Sequence, residues 1–214
     1  MTNKERRDKG MAYITDAFVL AEQFKSRILQ RSYNRMIPFN VPKAYLILKL
    51  MGLKYGKDTF IDIPFRCDYG KHITVGKRFY ANSYCTIIDV APVTIGDDVL
   101  LGPNVQIITA GHPIHPETRN SKYEYGLPIT IGDNVWIGAG AIILPGVNIG
   151  SNTVIGAGAV VTKDIPDGVV AAGNPCRVLK EITEEDRKYY YKDLEFDPEA
   201  WNNIDKREKA IDNE

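Results

Sequence analysis

A six-residue repeat in residues 129–164 constrains the fold of this 214-residue chain more than any other feature. An aliphatic residue recurs at every sixth position, at Ile131, Ile137, Ile143, Ile149, Ile155 and Val161. The next residue is glycine in four of these six repeats. A period of six fits neither an α-helix of about 3.6 residues per turn nor an alternating strand. It is the period of a hexapeptide parallel β-helix.

The repeat also predicts how such a fold is stabilised. Each hexad supplies a short strand whose aliphatic side chain points inward, and the small residue that follows lets the chain turn a corner. Three hexads form one coil, so Ile131 and Ile149 are expected to stack in the interior, as are Ile137 and Ile155. Neighbouring coils then hydrogen-bond as parallel sheets. Because no coil buries its apolar face alone, we expect stability to come from stacking.

Towards the N-terminus the repeat weakens, and one long segment interrupts it. The predicted inward residues are Ile63, Tyr69, Val75, Ala81 and Ile87, then Ile95, Leu101 and Ile107 after a two-residue shift at 90–93. About twenty residues without the pattern follow Ile108. A loop of this length within a compact repeat is typically functional or disordered. Its two histidines and its aromatic residues favour a functional loop.

Helix signals precede the repeats. Thr2 and Glu5 predict a capping box for a short first helix. A second helix is predicted from after Asp16 to about Asn34, with apolar residues at helical spacing. The side chains that we expect it to bury are Phe18, Ala21, Phe24 and Ile28.

A third helix is predicted between Asn40, its N-cap, and Gly52, its stop, with Pro42 in its first turn. Its apolar residues are Leu46, Leu50 and Met51. Beyond the repeats, a capped helix is predicted from Thr183 through Tyr191, and the stretch after it is polar and expected to be mobile.

These elements predict a mainly β fold in three segments. A helical N-terminal cap covers 1–58, a parallel β-helix with an extended loop at 109–128 covers 59–180, and a C-terminal helix with a polar tail covers 181–214. With 44% hydrophobic residues the chain can build one good core. Lys plus Arg and Asp plus Glu number 27 each, so the formal net charge is zero. This balance disfavours a bulk electrostatic nucleic-acid binder.

Cysteine usage and the N-terminus favour a cytoplasmic protein. The cysteines Cys67, Cys85 and Cys176 are odd in number and lack metal-ligand spacing, so we interpret them as reduced packing thiols. The charged N-terminus is not followed by a signal-type apolar run, and no segment has the length and hydrophobicity of a membrane span. We therefore expect no membrane partner.

Three ordered motifs carry a resemblance to a known family. FYAN lies at 79–82, GHP at 111–113 and GNPCR at 173–177. With the helical N-terminus included, the chain from about residue 5 to 192 resembles the sugar O-acetyltransferases of the maltose, galactoside and nodulation type. The resemblance implies a left-handed β-helix, acetyl-CoA as co-substrate and no metal. It also implies a homotrimer with active sites between subunits.

The resemblance also implies site residues. Moving an acetyl group from a thioester to a sugar hydroxyl needs a base, and histidine is suited to this near neutral pH. His112 of GHP matches the family's catalytic position and is expected to promote direct attack in a ternary complex. The Ala139 amide is implied to donate to the thioester oxyanion. The implied acceptor-binding residues are Asp16, Asp68, Asn82 and Asp89. The implied CoA-binding residues are Ala139, Ala157, Thr162, Lys163, Arg177 and Lys180.

Simpler interpretations of several residues stay open. Asp16 has an equal claim as the N-cap of the second helix. Lys163 and Arg177 also fit solvated ends of the last coil. Trp136 is expected at a subunit seam or an active-site wall. Val90 stands where galactoside enzymes carry a second aspartate, which favours a maltose-type acceptor over a galactoside.

The three histidines bear on a rival, metal-dependent function. The β-helical carbonic anhydrases bind zinc through histidines, and a catalytic zinc needs three protein ligands. His72, His112 and His115 do not reproduce that arrangement; His72 is expected to be solvated, and His115 to steer substrate or lie at the surface. Two functions without a metal stay open beside sugar O-acetylation. One is a non-catalytic scaffold or sugar-binding β-helix, and the second is an acyltransferase acting on a non-sugar hydroxyl or an amine.

Overall fold

The structure, a computed structural model, describes residues 1–36 and 41–211. The chain divides into two compact units, Met1–Lys180 and Glu181–Glu214. The three-segment division stays a prediction. The predicted helix cap Asn40 lies outside the described residues.

The first unit begins with helices and one short strand. They are α1 (Asn3–Asp8), β1 (Tyr13–Ile14), α2 (Ala17–Tyr33) and α3 (Val41–Met51). The predicted capping box is confirmed, because Thr2 Oγ1 accepts from the Glu5 N–H at 3.2 Å and Glu5 Oε2 accepts from the Thr2 N–H at 2.8 Å. Helix α3 ends before Gly52, whose φ of 88° is the left-handed conformation of a helix C-terminus.

From Lys54 the chain winds into a parallel β-helix, in which each coil adds one short strand to each of three sheets. Coils one to three comprise β2 (Lys54–Tyr55), β3 (Phe60–Ile61), β4 (Arg66–Cys67), β5 (Ile73–Val75), β6 (Tyr80–Ala81), β7 (Thr86–Ile88), β8 (Val93–Ile95), β9 (Leu100–Leu101) and β10 (Gln106–Ile108). An excursion follows with β11 (Ala110–Gly111), α4 (Pro116–Asn120) and β12 (Tyr123–Gly126). The later strands are β13 (Ile129–Ile131), β14 (Trp136–Ile137), β15 (Ile142–Ile143), β16 (Asn148–Ile149), β17 (Val154–Ile155), β18 (Val160–Val161), β19 (Val169–Ala172) and β20 (Arg177–Glu181).

The three sheets form three faces, named here in the order in which the chain visits them. The first face contains β2, β5, β8, β13 and β16; the second contains β3, β6, β9, β14, β17, β19 and β20; the third contains β4, β7, β10, β15 and β18. The second corner is where the chain turns from the second face to the third. The third corner is where it passes from the third face to the next coil.

The six-residue register produces the predicted stacking. Ile131 pairs with Ile149, and Ile137 with Ile155, in parallel strands whose inward side chains are buried. Burial of one such side chain contributes about 1.5–3 kcal/mol to stability. The two-residue shift at 90–93 is confirmed, since strand partners across it are twenty residues apart rather than eighteen. The mainly β, parallel β-helical fold with a helical N-terminal cap is confirmed.

The predicted register is wrong in the first coil. The structure buries Ile61 and Cys67 in the main core, instead of Ile63 and Tyr69. The cause is a longer third corner, because eight residues rather than six separate Cys67 from Val75. This places Tyr69 outside the stack, where it packs with residues of the N-terminal cap.

The predicted buried face of α2 is also wrong. Phe18, Phe24 and Ile28 are 79%, 65% and 53% exposed, and Ala21 is exposed as well. The residues that α2 buries are Val19, Ser26, Gln30 and Tyr33. In α3, Leu46 and Leu50 are likewise exposed, whereas Ile47, Leu48 and Met51 are buried.

The physical reason lies in what α2 covers. Strand β4 ends the third face, and its open edge needs hydrogen-bond partners. The Gln30 side chain supplies them, with Nε2 donating to the Cys67 carbonyl at 2.6 Å and Oε1 accepting from the Cys67 N–H at 2.9 Å. Asn34 bonds both backbone groups of Phe65 in the same way. Polar side chains therefore occupy the inner face of α2.

The second unit differs from its predicted helix. A 3₁₀ helix spans Glu184–Lys188, and the strands β21 (Tyr189–Tyr191) and β22 (Leu194–Glu195) form an antiparallel pair. The predicted helix therefore ends before Tyr189, because the aromatic run pairs as a strand. The segment predicted as a mobile tail contains α5 (Pro198–Ile211). No helix within the described ranges is long and apolar enough to cross a membrane.

Candidate active site

The long interruption of the repeat is an ordered excursion that carries His112. Strand β11 pairs with β12, and β12 pairs with β1 of the N-terminal cap. The register places Tyr13 opposite Glu124 and Ile14 opposite Tyr123. A side-chain contact joins Thr15 Oγ1 to the Glu124 carboxylate. The cap and the excursion are thus held together next to the residue that follows β11.

His112 is exposed, and its side chain makes one hydrogen-bond contact among the described residues. Its Nδ1 lies 3.3 Å from the carbonyl oxygen of Tyr123. A carbonyl oxygen only accepts, so this contact requires Nδ1–H and leaves Nε2 with a free lone pair. That is the tautomer that can take up a proton at Nε2. His115 is exposed at the start of α4 and makes no side-chain capping bond.

A buried carboxyl lies at the third corner. Asp89 Oδ1 accepts from the backbone N–H groups of Asp68 at 2.9 Å and Tyr69 at 2.8 Å, whereas Oδ2 has no partner among the residues described. Burial raises the pKa of Asp89 to about 7, against the lowering effect of those N–H donors. Burial also raises the pKa of Asp68, with Arg66 and Arg27 acting in the opposite direction.

The expectation that His72 is solvated is wrong. Its ring packs on Tyr69 with centroids 5.1 Å apart, and Nδ1 lies 2.6 Å from the carbonyl oxygen of Asp89. Burial lowers the pKa of His72. His72 therefore supports the same corner as Asp89, because both bond to backbone atoms of that corner.

Asp16 is the N-cap of α2. Its Oδ1 accepts from the N–H groups of Phe18 and Val19, each at 3.1 Å, and Oδ2 accepts from Asn3 Nδ2 at 3.1 Å. These bonds lower the pKa of Asp16. The capping interpretation is confirmed, while the predicted role in acceptor binding stays a prediction.

One apolar cluster holds these acidic residues in the same region. Its buried members are Tyr13, Val19, Tyr69 and Val90, with Ile88 and Ala110 packed against them. Asp16 lies between Tyr13 and Val19 in sequence, Asp68 and Asp89 adjoin Tyr69 and Val90, and Ala110 begins β11 two residues before His112. The structure thus brings four of the predicted site residues to the third corner.

The second corner carries a different group. Asn82 follows β6, Ala139 follows β14 and Ala157 follows β17, so the three residues lie along one edge of the β-helix. A Cβ atom at Gly138 would lie 2.5 Å from the backbone nitrogen of Ala157, and one at Gly102 would lie 2.7 Å from that of Ala139. Glycine at these positions lets the coils approach.

Two backbone N–H groups on this edge lack a hydrogen-bond partner in the part of the chain that the structure describes. Ala139 and Ala157 are exposed, and their N–H groups form no hydrogen bond with any described residue. Their neighbours are paired, since Gly140 N–H donates to Pro103 and Gly158 N–H donates to Ala139. Fixed, open N–H donors are suited to a carbonyl oxygen that becomes negatively charged.

The other predicted CoA-binding residues lie elsewhere on the chain. Thr162 and Lys163 follow β18 at the third corner, and Arg177 and Lys180 lie on β20; all four are exposed. Within one chain, His112 therefore lies at the third corner, as do Thr162 and Lys163. The second corner carries Asn82, Ala139 and Ala157.

The outward side chains of the second face are apolar, a feature that the sequence interpretation missed. Strand register aligns Phe60, Tyr80, Leu100, Trp136, Val154 and Val170 in one row. Leu100 is 48% exposed and Trp136 is 55% exposed. The corresponding row on the first face is polar, with Lys54, Thr74, Thr94, Thr130 and Asn148. In each strand that contributes to the apolar row of the second face, the residue directly before the inward residue is apolar. This pattern is the sequence signal that was missed.

A cavity of about 660 Å³ adjoins Asp68 between α2 and strands β4 and β7. Three arginines also line it: Arg27, Arg31 and Arg66. They are absent from the predicted site, although Arg27 and Arg31 are four residues apart on one helix and so share a face. No group of three or more His, Cys, Asp or Glu side chains suited to a metal ion occurs among the residues that the structure covers.

Comparisons with known proteins agree with this architecture. Residues 128–163 match the family described as "Bacterial transferase hexapeptide (six repeats)", and residues 92–113 match "Hexapeptide repeat of succinyl-transferase". The chain is 46% identical to the galactoside O-acetyltransferase of Escherichia coli (strain K12), over 82% of this chain and 87% of the relative.

Solved structures show the same fold. A galactoside acetyltransferase in complex with coenzyme A superposes with a TM-score of 0.88 and 43% identity, covering 92% of this chain and 99% of that one. A maltose O-acetyltransferase from Clostridium difficile 630 gives a TM-score of 0.83 and 49% identity, covering 86% and 99%. The left-handed hexapeptide-repeat fold is thereby confirmed.

Proposed function

This chain belongs to the hexapeptide-repeat acetyltransferase family, and from that premise we propose that it transfers an acetyl group from acetyl-CoA to a hydroxyl group of a sugar. One observation carries the proposal. A histidine whose Nε2 is free to accept a proton lies on one corner of the β-helix, and two exposed residues whose backbone N–H groups have no partner among the described residues lie on another. Acyl transfer to an alcohol needs these two elements.

His112 is the general base. Its Nδ1–H contact with the Tyr123 carbonyl orients the ring, and Nε2 removes the proton from the acceptor hydroxyl as that oxygen bonds to the acetyl carbon. The same nitrogen then returns the proton to the sulfur as the carbon–sulfur bond breaks. Attack is direct, in a ternary complex of enzyme and both substrates. The Ala139 N–H donates to the carbonyl oxygen as it gains negative charge.

Asp68, Asn82 and Asp16 bind hydroxyl groups of the acceptor. Asp68 lines the cavity beside α2, which gives it access to a ligand. The resemblance implies that Asp89 binds the acceptor too, but Asp89 is fully buried and bonds the backbone of Asp68. We therefore propose that Asp89 positions Asp68. Val90 stands where galactoside enzymes carry a second aspartate, and this departure favours a glucose or maltose-type acceptor over a galactoside.

Acetyl-CoA binds along the second corner and at the end of the β-helix. The unpaired N–H groups of Ala139 and Ala157 suit its amide-bearing arm, which offers carbonyl acceptors. Thr162, Lys163, Arg177 and Lys180 are exposed and supply the positive charge and hydroxyl that its phosphates need.

The two corners meet in a homotrimer. In one chain the residues of the second corner and those near His112 follow different faces, so neither group completes the site. A cyclic assembly joins two different surfaces of neighbouring copies. The apolar row on the second face, which includes Trp136, supplies one such surface, because so long an exposed apolar stripe favours association. The buried, unpaired cysteines fit the proposed cytoplasmic location.

The proposal is tested by following thiol release from acetyl-CoA with glucose, maltose, galactosides and aminosugars as acceptors. We expect release that depends on the acceptor and is fastest with glucose or maltose-type sugars. Release with no sugar acceptor, neutral or acidic, would favour a non-catalytic β-helix. Thiol release with aminosugars alone, with an amide as the product, would show that the acceptor group is an amine and not a hydroxyl.

A further inference from the structure

The charged residues that line the cavity beside α2 are mostly positive. Its volume is about 660 Å³, and its charged lining residues are Arg27, Arg31, Arg66 and Asp68. Two of the arginines come from the helix and one from strand β4, so they approach from two sides. A cavity with three cations and one carboxyl favours an anionic ligand.

The three arginines line the cavity without a close ion pair among the described residues, although Arg27 and Arg66 lower the pKa of Asp68 electrostatically. None of their guanidinium groups forms an ion pair or side-chain hydrogen bond with a residue that the structure describes. Elsewhere in the same unit, arginines are paired: Arg78 holds Asp98 with two bonds of 2.6 Å, and Arg7 bonds Asp8 at 2.7 Å. Apart from this effect on Asp68, the cavity concentrates positive charge that no carboxylate of the described residues neutralises at contact distance.

The helix that carries Arg27 and Arg31 is fixed in place. Gln30 and Asn34 lie on the same face of α2 and bond the backbone of Cys67 and Phe65. Arg66 lies between these two anchored residues. The backbone positions of the three arginines are therefore fixed while their side chains stay exposed, and a fixed backbone lowers part of the entropy cost of holding a ligand.

We propose that this cavity binds an anionic group of the acceptor, and that the acceptor is an acidic sugar bearing a phosphate, sulfate or carboxylate. The proposal rests on the function proposed above and refines its substrate class. The planar fork of arginine binds such oxyanions through paired hydrogen bonds. Asp68 in the same wall then binds a hydroxyl of the sugar that carries the anion.

The experiment compares matched acceptors in wild type and in the triple variant Arg27→Gln, Arg31→Gln, Arg66→Gln. The acceptors are glucose, glucose 1-phosphate, glucose 6-phosphate and glucuronate, assayed by thiol release from acetyl-CoA. We expect wild type to prefer at least one acidic sugar over glucose in kcat/KM. In the triple variant that ratio should fall about 10–100-fold, the loss expected when charged hydrogen bonds are removed.

Control variants distinguish the loss of positive charge in the cavity from damage to the fold. Arg35→Gln removes the same charge just beyond α2 but does not line the cavity, so its ratio should equal that of wild type. The single variants Arg27→Gln and Arg66→Gln alter different elements and should each lower the ratio. An unchanged ratio in the triple variant, or wild type without any preference for an acidic sugar, overturns the proposal.

Two further outcomes are decisive. A rise confined to the KM of acetyl-CoA would mean that the arginines bind the phosphates of CoA, which overturns the acceptor assignment. If no acceptor releases thiol, the proposed function fails, and calorimetric titration of glucose 6-phosphate then decides this proposal alone. Binding to wild type and to Arg35→Gln, lost in the triple variant, supports an anion site; absence of binding to wild type overturns it.

Discussion

The resemblance implies the proposed role of His112, and one hydrogen bond supports it. The Tyr123 carbonyl selects the Nδ1–H tautomer, and Tyr123 is itself fixed by the pairing of β12 with β1. The N-terminal cap therefore helps to position His112, because β1 of the cap pairs with β12, and β12 carries the Tyr123 carbonyl. A base positioned in this way contributes about 10²–10⁴-fold to turnover.

The variant His112→Ala should therefore lose about 10²–10⁴-fold in kcat while keeping its fold and its affinity for acetyl-CoA. The loss follows from removing the proton acceptor alone. Steady-state thiol release and a separate titration of acetyl-CoA measure the two quantities. His115→Ala, in the same excursion and without a side-chain capping bond, is the matched control and should retain activity. Near-normal turnover of His112→Ala would disprove the assignment of the base.

Asp89 should make stability depend on pH. Its pKa rises from the ordinary value of 3.8 to about 7 in the folded protein, so the folded state binds the proton more tightly than the unfolded state. The free energy of unfolding should then fall as pH rises from about 4 through 7, by at most about 4 kcal/mol from this group. Asp89→Asn remains neutral and should lose this dependence.

Urea unfolding of wild type and Asp89→Asn at pH 5 and pH 8 measures the effect. The neighbouring titratable groups Asp68, His72 and Cys67 are present in both proteins, so the difference between the two reports on Asp89 together with its electrostatic coupling to these groups. Relative to wild type, the variant should gain a few kcal/mol on going from pH 5 to pH 8. An equal difference in the free energy of unfolding between the two proteins at pH 5 and at pH 8 would show that Asp89 does not take up the proton.

At the scale of elements, the six-residue period was sufficient to predict the strands of the β-helix. It was insufficient to predict the first coil and the helix that packs against it. The hexad from Ile131 to Val161 predicts the stacking because every corner there has the same length. In the first coil the corner is two residues longer, and a period alone does not show where such an insertion lies. The face of α2 was missed because β4 offers it backbone groups, which attract Gln30 and Asn34 rather than apolar residues.

The contact between Gln30 and β4 can be tested by substitution. Gln30→Leu leaves the N–H and C=O groups of Cys67 buried without their partner, and should lower the free energy of unfolding by roughly 2–4 kcal/mol. Ser32→Leu introduces the same side chain at an exposed position of α2 and should change stability by less than about 0.5 kcal/mol. Urea unfolding at one fixed protein concentration compares them. Equal effects would show that Gln30 does not seal the edge.

At the scale of the whole molecule, the proposed site requires more than one copy of the chain. The resemblance allowed each site residue to be named from sequence, but their division between two corners follows from the order of strands in three sheets. The apolar row of the second face was not predicted, because single apolar residues before each inward position look like ordinary strand residues. Only strand register aligns Phe60, Leu100 and Trp136.

Mixed assemblies test the division of the site. In the proposed homotrimer, His112→Ala and Asn82→Ala each remove one required residue from every active site. In randomly mixed trimers about a quarter of the sites should combine an intact His112 with an intact Asn82 from the neighbouring copy. Refolding the two variants together should therefore restore about a quarter of wild-type thiol release. The control mixes His112→Ala with His112→Gln and should stay inactive. No recovery in the first mixture would place both residues in one chain's site.

The most direct test of the central claim is to identify the product formed from acetyl-CoA and a glucose or maltose-type sugar, neutral or acidic, by nuclear magnetic resonance. We expect wild type to release one thiol for each O-acetyl sugar formed, and His112→Ala to form it only at a greatly reduced rate. Thiol release without an acetylated sugar, or neither product with any acceptor, would contradict the assignment of this chain as a sugar O-acetyltransferase.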